Sequence, residues 1–156
     1  MHRSLPWFGL AAGIVILDQL TKWWALAALA PHRPVEILPF FNLTLVFNRG
    51  AAFSFLAGAG GWQKLFFIGL ALIISVVLAV WLARSAWRQR WLAGGLALIL
   101  GGAIGNVIDR IRFGHVVDFL DFHAAGWHWP AFNVADSAIT VGAILLLILS
   151  LRDTHT

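Results

Sequence analysis

The stretch GNVIDRIRFGHVVDFLDFHAAGWHWPAFNVADS, residues Gly105 to Ser137, sets Asp109, Asp118, Asp121 and Asp136 between two long apolar runs. These are four of only seven acidic residues in a chain that is 60% hydrophobic. An ionisable group near lipid costs on the order of a few kcal/mol unless it is paired or hydrated, so carboxylates gathered at a membrane boundary point to function. The apolar runs that flank them decide the class of fold.

With 156 residues the chain has room for one domain, residues 1–156. Only 12% of its residues are charged and its mean hydropathy is +0.83, which excludes an ordinary water-soluble fold. The net charge of +4 does not point to a nucleic-acid partner, because the eleven basic residues are scattered singly or stand beside apolar segments. They read as topology signals. No cysteine is present, so a disulfide framework and a Cys-ligated metal are both excluded. Nine Trp and twelve Phe with no Tyr suit interfacial belts and lipid-facing surfaces.

Working outward from that stretch, four apolar segments are long enough to cross a bilayer: Trp7 to Leu29, Trp62 to Leu82, Trp91 to Ile108 and Val134 to Leu151. The first spans about 34 Å at 1.5 Å per residue. It is interrupted by Asp18, Gln19, Thr21 and Lys22, and the acid and base at i,i+4 read first as a structural ion pair. A cleaved signal peptide is the competing reading, but Ala28-Leu29-Ala30 lies too far beyond the apolar core Leu10 to Leu17. The third segment carries Gly101 and Gly105 at a spacing that lets another helix approach closely. Arg84, Arg88 and Arg90 crowd a short loop that the positive-inside rule makes cytoplasmic. Both termini are then cytoplasmic, and the long connections Ala30 to Gly61 and Ile111 to Asn133 lie outside.

In the first of these connections Pro31, Pro34 and Pro39 block a helix, and FFNLTLVFN favours short strands in a small antiparallel sheet at the membrane surface. Asn48-Arg49-Gly50 reads as a turn, and Ala51 to Leu56 as a short interfacial helix closed by glycines. The expected fold is therefore an α-helical membrane protein: four transmembrane helices, a small extracytoplasmic β-sheet and a short interfacial helix.

Within the acidic stretch, Asp118 from the outer loop and Asp136 from the top of the fourth helix come from different segments and can meet. Two carboxylates within about 3 Å cannot both ionise easily and share a proton, the arrangement of an aspartyl protease. One acts as base toward water while its protonated partner polarises the peptide carbonyl, and no metal is required. Each residue also has a simpler reading. Taken alone, Asp136 reads first as a cap or dipole partner for its helix, and Asp118 as a solvated acid or a partner for Arg112. Asp121 reads as an exposed acid and Asp109 as a member of the Arg110 and Arg112 charge cluster. His115, His123 and His128 raise a metal site, but no H-E-x-x-H arrangement supports one. A proton-coupled transporter using Asp18, Asp118 and Asp136, or a structural subunit, remain the rival classes.

The blocks Asn106-Val107-Ile108-Asp109-Arg110, Val116-Val117-Asp118-Phe119 and Phe132-Asn133-Val134-Ala135-Asp136-Ser137 resemble the signature of the bacterial lipoprotein signal peptidases, the signal peptidase II family. Asp18-Gln19-Leu20-Thr21-Lys22 and Asn48-Arg49-Gly50-Ala51-Ala52-Phe53-Ser54 resemble two further blocks in the same order. The resemblance implies an intramembrane aspartyl endopeptidase of the bacterial inner membrane, with its site at the outer face. It would cut diacylglyceryl-modified prolipoproteins before the lipidated cysteine. By the same resemblance Asp118 and Asp136 are the catalytic pair, and Asn48, Asn106, Arg110 and Asn133 line the substrate pocket. Asp18, Lys22 and Asp109 are supporting polar residues. No cofactor or metal is implied; the partners are the prolipoproteins and membrane lipids, and the protein is expected to be a monomer.

Overall fold

The computed structural model describes residues 4–50, 61–85 and 89–153. The short helix expected over Ala51 to Leu56 lies outside the described residues. Four helices, α1 (Leu5–Ala28), α2 (Trp62–Ser85), α3 (Arg90–Phe113) and α4 (Val134–Asp153), are each long and apolar enough to cross a membrane. Between them run four strands: β1 (Val35–Leu38), β2 (Phe41–Asn48), β3 (Val116–Ala124) and β4 (Trp127–His128). With this helix content and apolar surface the chain is an α-helical membrane protein.

Helix α3 is the centre of the bundle and packs on α1, α2 and α4. Its glycines make this possible, because backbones come together where no Cβ intervenes. A Cβ on Gly102 would collide with the Ala135 carbonyl oxygen of α4, and one on Gly105 would lie 2.5 Å from Asp18 Oδ2 of α1. Helix α1 presents a narrow buried stripe, Ala11, Asp18, Lys22 and Ala25, at helical spacing toward the bundle. The outer surfaces stay apolar, with Leu65, Ile73, Val76 and Trp91 more than three-fifths exposed, as lipid-facing side chains are.

The sequence expectation placed α3's end at Ile108; the helix continues to Phe113 and stops on Gly114. That residue has φ +77, and its N–H donates to the Arg110 carbonyl at 3.0 Å. A left-handed C-terminal residue of this kind favours glycine, and it turns the chain directly into β3.

The larger correction concerns the segment read as an outer loop from Ile111 to Asn133. Ile111 to Phe113 close α3, Val116–Ala124 form β3 and Trp127–His128 form β4, and the sheet runs in the order β1-β2-β3-β4, all antiparallel. Strand β2 pairs with β3 from Phe41 opposite Phe122 to Asn48 opposite Val116. Between Leu43 and Val46 the register slips by one residue, since Leu43 faces Leu120 while Val46 faces Asp118. A bulge of this type swaps the faces of the strand beyond it, and it lies beside the acid of interest. Chain β3 is buried from Val116 to Phe119.

Candidate active site

Two features bring Asp118 and Asp136 together. Residues leading into α4 run along β3, where Phe132 exchanges backbone hydrogen bonds with Leu120 at 2.9 and 3.0 Å, so the start of α4 lies beside Asp118. Asn133 then caps α4: its Oδ1 accepts the Asp136 backbone N–H at 2.9 Å. Asp136 is thus three residues inside the helix, in its first turn, and the capping role considered for it belongs to Asn133. A second free amide of that turn, Ala135 N–H, donates to Asp18 Oδ1 at 2.9 Å.

Asn133 holds both acids. Its Nδ2 donates to Asp118 Oδ1 at 2.8 Å and lies 3.2 Å from the Val117 carbonyl oxygen. The orientation of this amide is forced, because an N–H can only donate to its oxygen and a carbonyl can only accept from its nitrogen. Asn106 is fixed by the same logic. Lys22 Nζ, which has no acceptor, donates to Asn106 Oδ1 at 2.9 Å, so the amide nitrogen faces the other way and donates to Asp136 Oδ1 at 2.8 Å. Each aspartate therefore receives one amide N–H on Oδ1.

Behind this layer is a buried ionic group. Lys22 is 2% exposed and pairs with Asp18 at 2.8 Å and Asp109 at 2.9 Å. Asp109 Oδ2 also accepts the Val117 backbone N–H at 2.9 Å, tying α3 to β3 next to Asp118. Gln19 Nε2 bridges Asp109 Oδ1 at 3.0 Å and the Gly105 carbonyl at 3.2 Å. The expected Asp18 and Lys22 pair is present, and Lys22 does not reach outward along the helix. Asp109 pairs with Lys22 and not with Arg110 and Arg112, because the face of α3 that carries it turns toward α1. Gln19 stands in the sequence as an interruption of an apolar segment and inside the block Asp18-Gln19-Leu20-Thr21-Lys22, but neither gives it a role.

Asp118 is 1% exposed. Burial, and then the nearby Asp136, push its carboxyl up to about 7 against the opposing pull of the Asn48 and Asn133 hydrogen bonds and Lys22. The carboxyl opens onto a cleft of about 800 Å³ that is also lined by Asn48, Arg49, Lys64, Phe67, Arg110, Pro130 and Ala131. Asn48 and Arg110 thus face the cleft, while Asn106 and Asn133 are buried behind the acids. Asp121, expected as an exposed acid, is 7% exposed and takes hydrogen bonds from Asn42 at 3.2 Å and His128 at 2.8 Å. His115 stacks on Phe113 and meets Phe47 at a tilt, whereas His128 pairs with Asp121. Among the described residues no three His, Cys, Asp or Glu side chains converge on a metal position.

Two acids near enough for Asp136 to act on the charge of Asp118 are thus gathered at the edge of the cleft that Asp118 lines. A family model described as signal peptidase (SPase) II matches residues 10–152. A lipoprotein signal peptidase of Burkholderia thailandensis is 55% identical over 147 residues, covering 94% of this chain and 88% of the relative. One of Ralstonia nicotianae is 56% identical over 151 residues, covering 97% and 87%. Among solved structures, a bacterial membrane enzyme determined by the in meso method at 1.9 Å superposes with a TM-score of 0.82 at 33% identity, covering 95% of this chain and 94% of that one.

Proposed function

The chain belongs to the signal peptidase II family, the proteases that remove signal peptides from prolipoproteins, and on that premise we propose that Asp118 and Asp136 are its catalytic dyad. The observation that carries this reading is the single Asn133 amide that donates to Asp118 and caps the Asp136 backbone N–H. The pair shares one proton, as two neighbouring carboxylates do, and burial favours it on Asp118, while the Asn106 N–H donates to Asp136 Oδ1.

Asp136 takes a proton from water as the water oxygen bonds to the scissile carbonyl carbon, and Asp118 donates a hydrogen bond to the carbonyl oxygen. The tetrahedral intermediate then loses its C–N bond as a proton passes to the departing nitrogen. The products are a carboxylate on the signal peptide and a new amine on the lipoprotein. Asn48 and Arg110, which face the cleft, hydrogen-bond the extended substrate backbone, whereas Asn106 and Asn133 orient the acids. The substrate is the diacylglyceryl-modified prolipoprotein, cut before its lipidated cysteine and delivered within the bilayer of the inner membrane.

The dyad lies where α3 ends and α4 begins, at the end of the bundle away from the connection between α2 and α3. Arg84 at the end of α2, Arg88 between the helices and Arg90 at the start of α3 are gathered there, so by the positive-inside rule that end and both termini are cytoplasmic and the site is at the outer face. The enzyme works as a monomer, with residues 1–156 as one peptidase domain surrounded by lipid.

The test uses purified wild type, Asp118→Asn and Asp136→Asn in detergent with a diacylglyceryl-modified prolipoprotein and a chelator. Wild type cleaves with the chelator present, and each variant loses about a thousandfold or more in rate while remaining folded, with a thermal unfolding transition no lower than that of wild type at pH 7 or above. A folded variant with near-normal cleavage excludes the dyad.

A further inference from the structure

Three cations face the cleft beside Asp118: Arg49 after β2, Lys64 in the first turn of α2 and Arg110 near the end of α3. Phe67 links them. The Arg110 guanidinium lies 5.6 Å from its ring centroid, and a Cβ on Gly50, next to Arg49, would lie 3.1 Å from its edge. Lys64 stands one turn before Phe67 on α2, with its Cδ 3.7 Å and its Nζ 4.0 Å from where a Cβ on Gly114 would sit. Gly114 in turn hydrogen-bonds the Arg110 carbonyl.

None of the three makes a salt bridge among the described residues, whose ion pairs join Lys22 to Asp18 and Asp109, and His128 to Asp121. Residues 51–60, AAFSFLAGAG, contain no ionisable side chain that could neutralise them. A further donor, Gln63 Nε2, lines the same cleft and finds no acceptor among the described residues. Three cations and an unused amide around an aromatic floor make an oxyanion site.

The uncleaved peptide bond is neutral, so it does not call for this charge. Hydrolysis changes that: the C–N bond breaks, the water oxygen stays on carbon, and a carboxylate appears next to an acid pair that itself carries negative charge. We propose that Arg49, Lys64 and Arg110 form a product subsite that holds the new C-terminal carboxylate of the released signal peptide. The carboxylate is drawn off the dyad toward Phe67, which vacates the water position, and its departure then becomes a step separate from bond cleavage. This rests on the peptidase reading of Asp118 and Asp136.

The test compares two synthetic signal peptides as inhibitors of prolipoprotein cleavage near pH 7, one ending in a free carboxylate and one in a carboxamide, in phosphatidylcholine vesicles. Wild type is inhibited about tenfold more strongly by the carboxylate. Lys64→Met and Arg49→Met, changed separately because both residues are exposed, each bring that ratio toward one. Arg33→Gln, which alters a cation outside the cleft, keeps the wild-type ratio. Equal inhibition of an active wild type by the two peptides overturns the subsite and leaves the dyad standing; near-normal cleavage by folded Asp118→Asn or Asp136→Asn fails the dyad itself. If phosphatidylglycerol added to the vesicles abolishes the wild-type ratio and the two Met variants lose affinity for that lipid, the cations serve lipid phosphate and the product assignment is overturned.

Discussion

Replacing Asn133 separates the two jobs of that side chain. Asn133→Ala removes the N–H on Asp118 and the cap on the Asp136 amide together, which costs stability by about 1 kcal/mol and lowers kcat by about a hundredfold or more. Asn133→Asp keeps an oxygen to cap α4 but sets a third carboxylate against the dyad. Thermal unfolding should therefore stay nearer wild type in Asn133→Asp while kcat falls further, and comparing the two variants checks both roles. Asp118 also makes a signed pH prediction. Its folded carboxyl titrates near 7, against about 4 when unfolded, so between those values the native state keeps a proton that the unfolded chain has released. Its contribution to stability declines as pH rises through that window, and Asp118→Asn should unfold at a higher temperature than wild type above pH 7. Wild-type kcat/KM should fall as pH rises through about 7, when the pair loses its shared proton.

At the level of elements, the site depends on how closely α4 approaches α3. A Cβ on Gly102 has the Ala135 carbonyl oxygen and Ile139 Cγ1 in its way, the latter at 2.7 Å, and both belong to the first turns of the helix that carries Asp136. Gly102→Ala should destabilise the bundle by about 1–3 kcal/mol and reduce kcat by shifting Asp136 away from Asp118. Gly13→Ala on α1, where nothing lies within 4 Å of the added methyl, should be neutral or stabilising by about 0.5–1 kcal/mol. Unfolding in detergent together with cleavage rate distinguishes the pair. Helix existence was legible from the apolar runs, and β2 from its β-branched and aromatic residues. The strand β3 was not, because Asp118, Asp121 and His123 interrupt VVDFLDFHA and its pairing partner lies some 75 residues earlier in the chain. The bulge opposite Asp118 has no sequence mark at all, since Thr44 and Leu45 are ordinary strand residues.

For the molecule as a whole, the group Asp18, Lys22 and Asp109 joins α1 to α3 beneath the dyad. Lys22→Met leaves two buried carboxylates without their cation and should cost about 3–5 kcal/mol, whereas adding Asp18→Asn and Asp109→Asn to it should recover most of that loss in thermal unfolding. By itself the sequence determined the class of molecule and the list of candidates. Its apolar segments cannot be dissolved in water, and the few carboxylates beside them carry a cost near lipid that marks them for function. Only the tertiary structure decided which of those polar groups face one another. It turned Asp109 toward Lys22, buried Asp121 under His128, and put Asn106 and Asn133 behind the acids instead of on the cleft wall. The reason is physical: spacing along one helix or strand limits which face a side chain occupies, but its partner is set by which other element is packed against that face. Here that packing is decided by glycines on α3, a cap on α4 and one slipped register in the sheet.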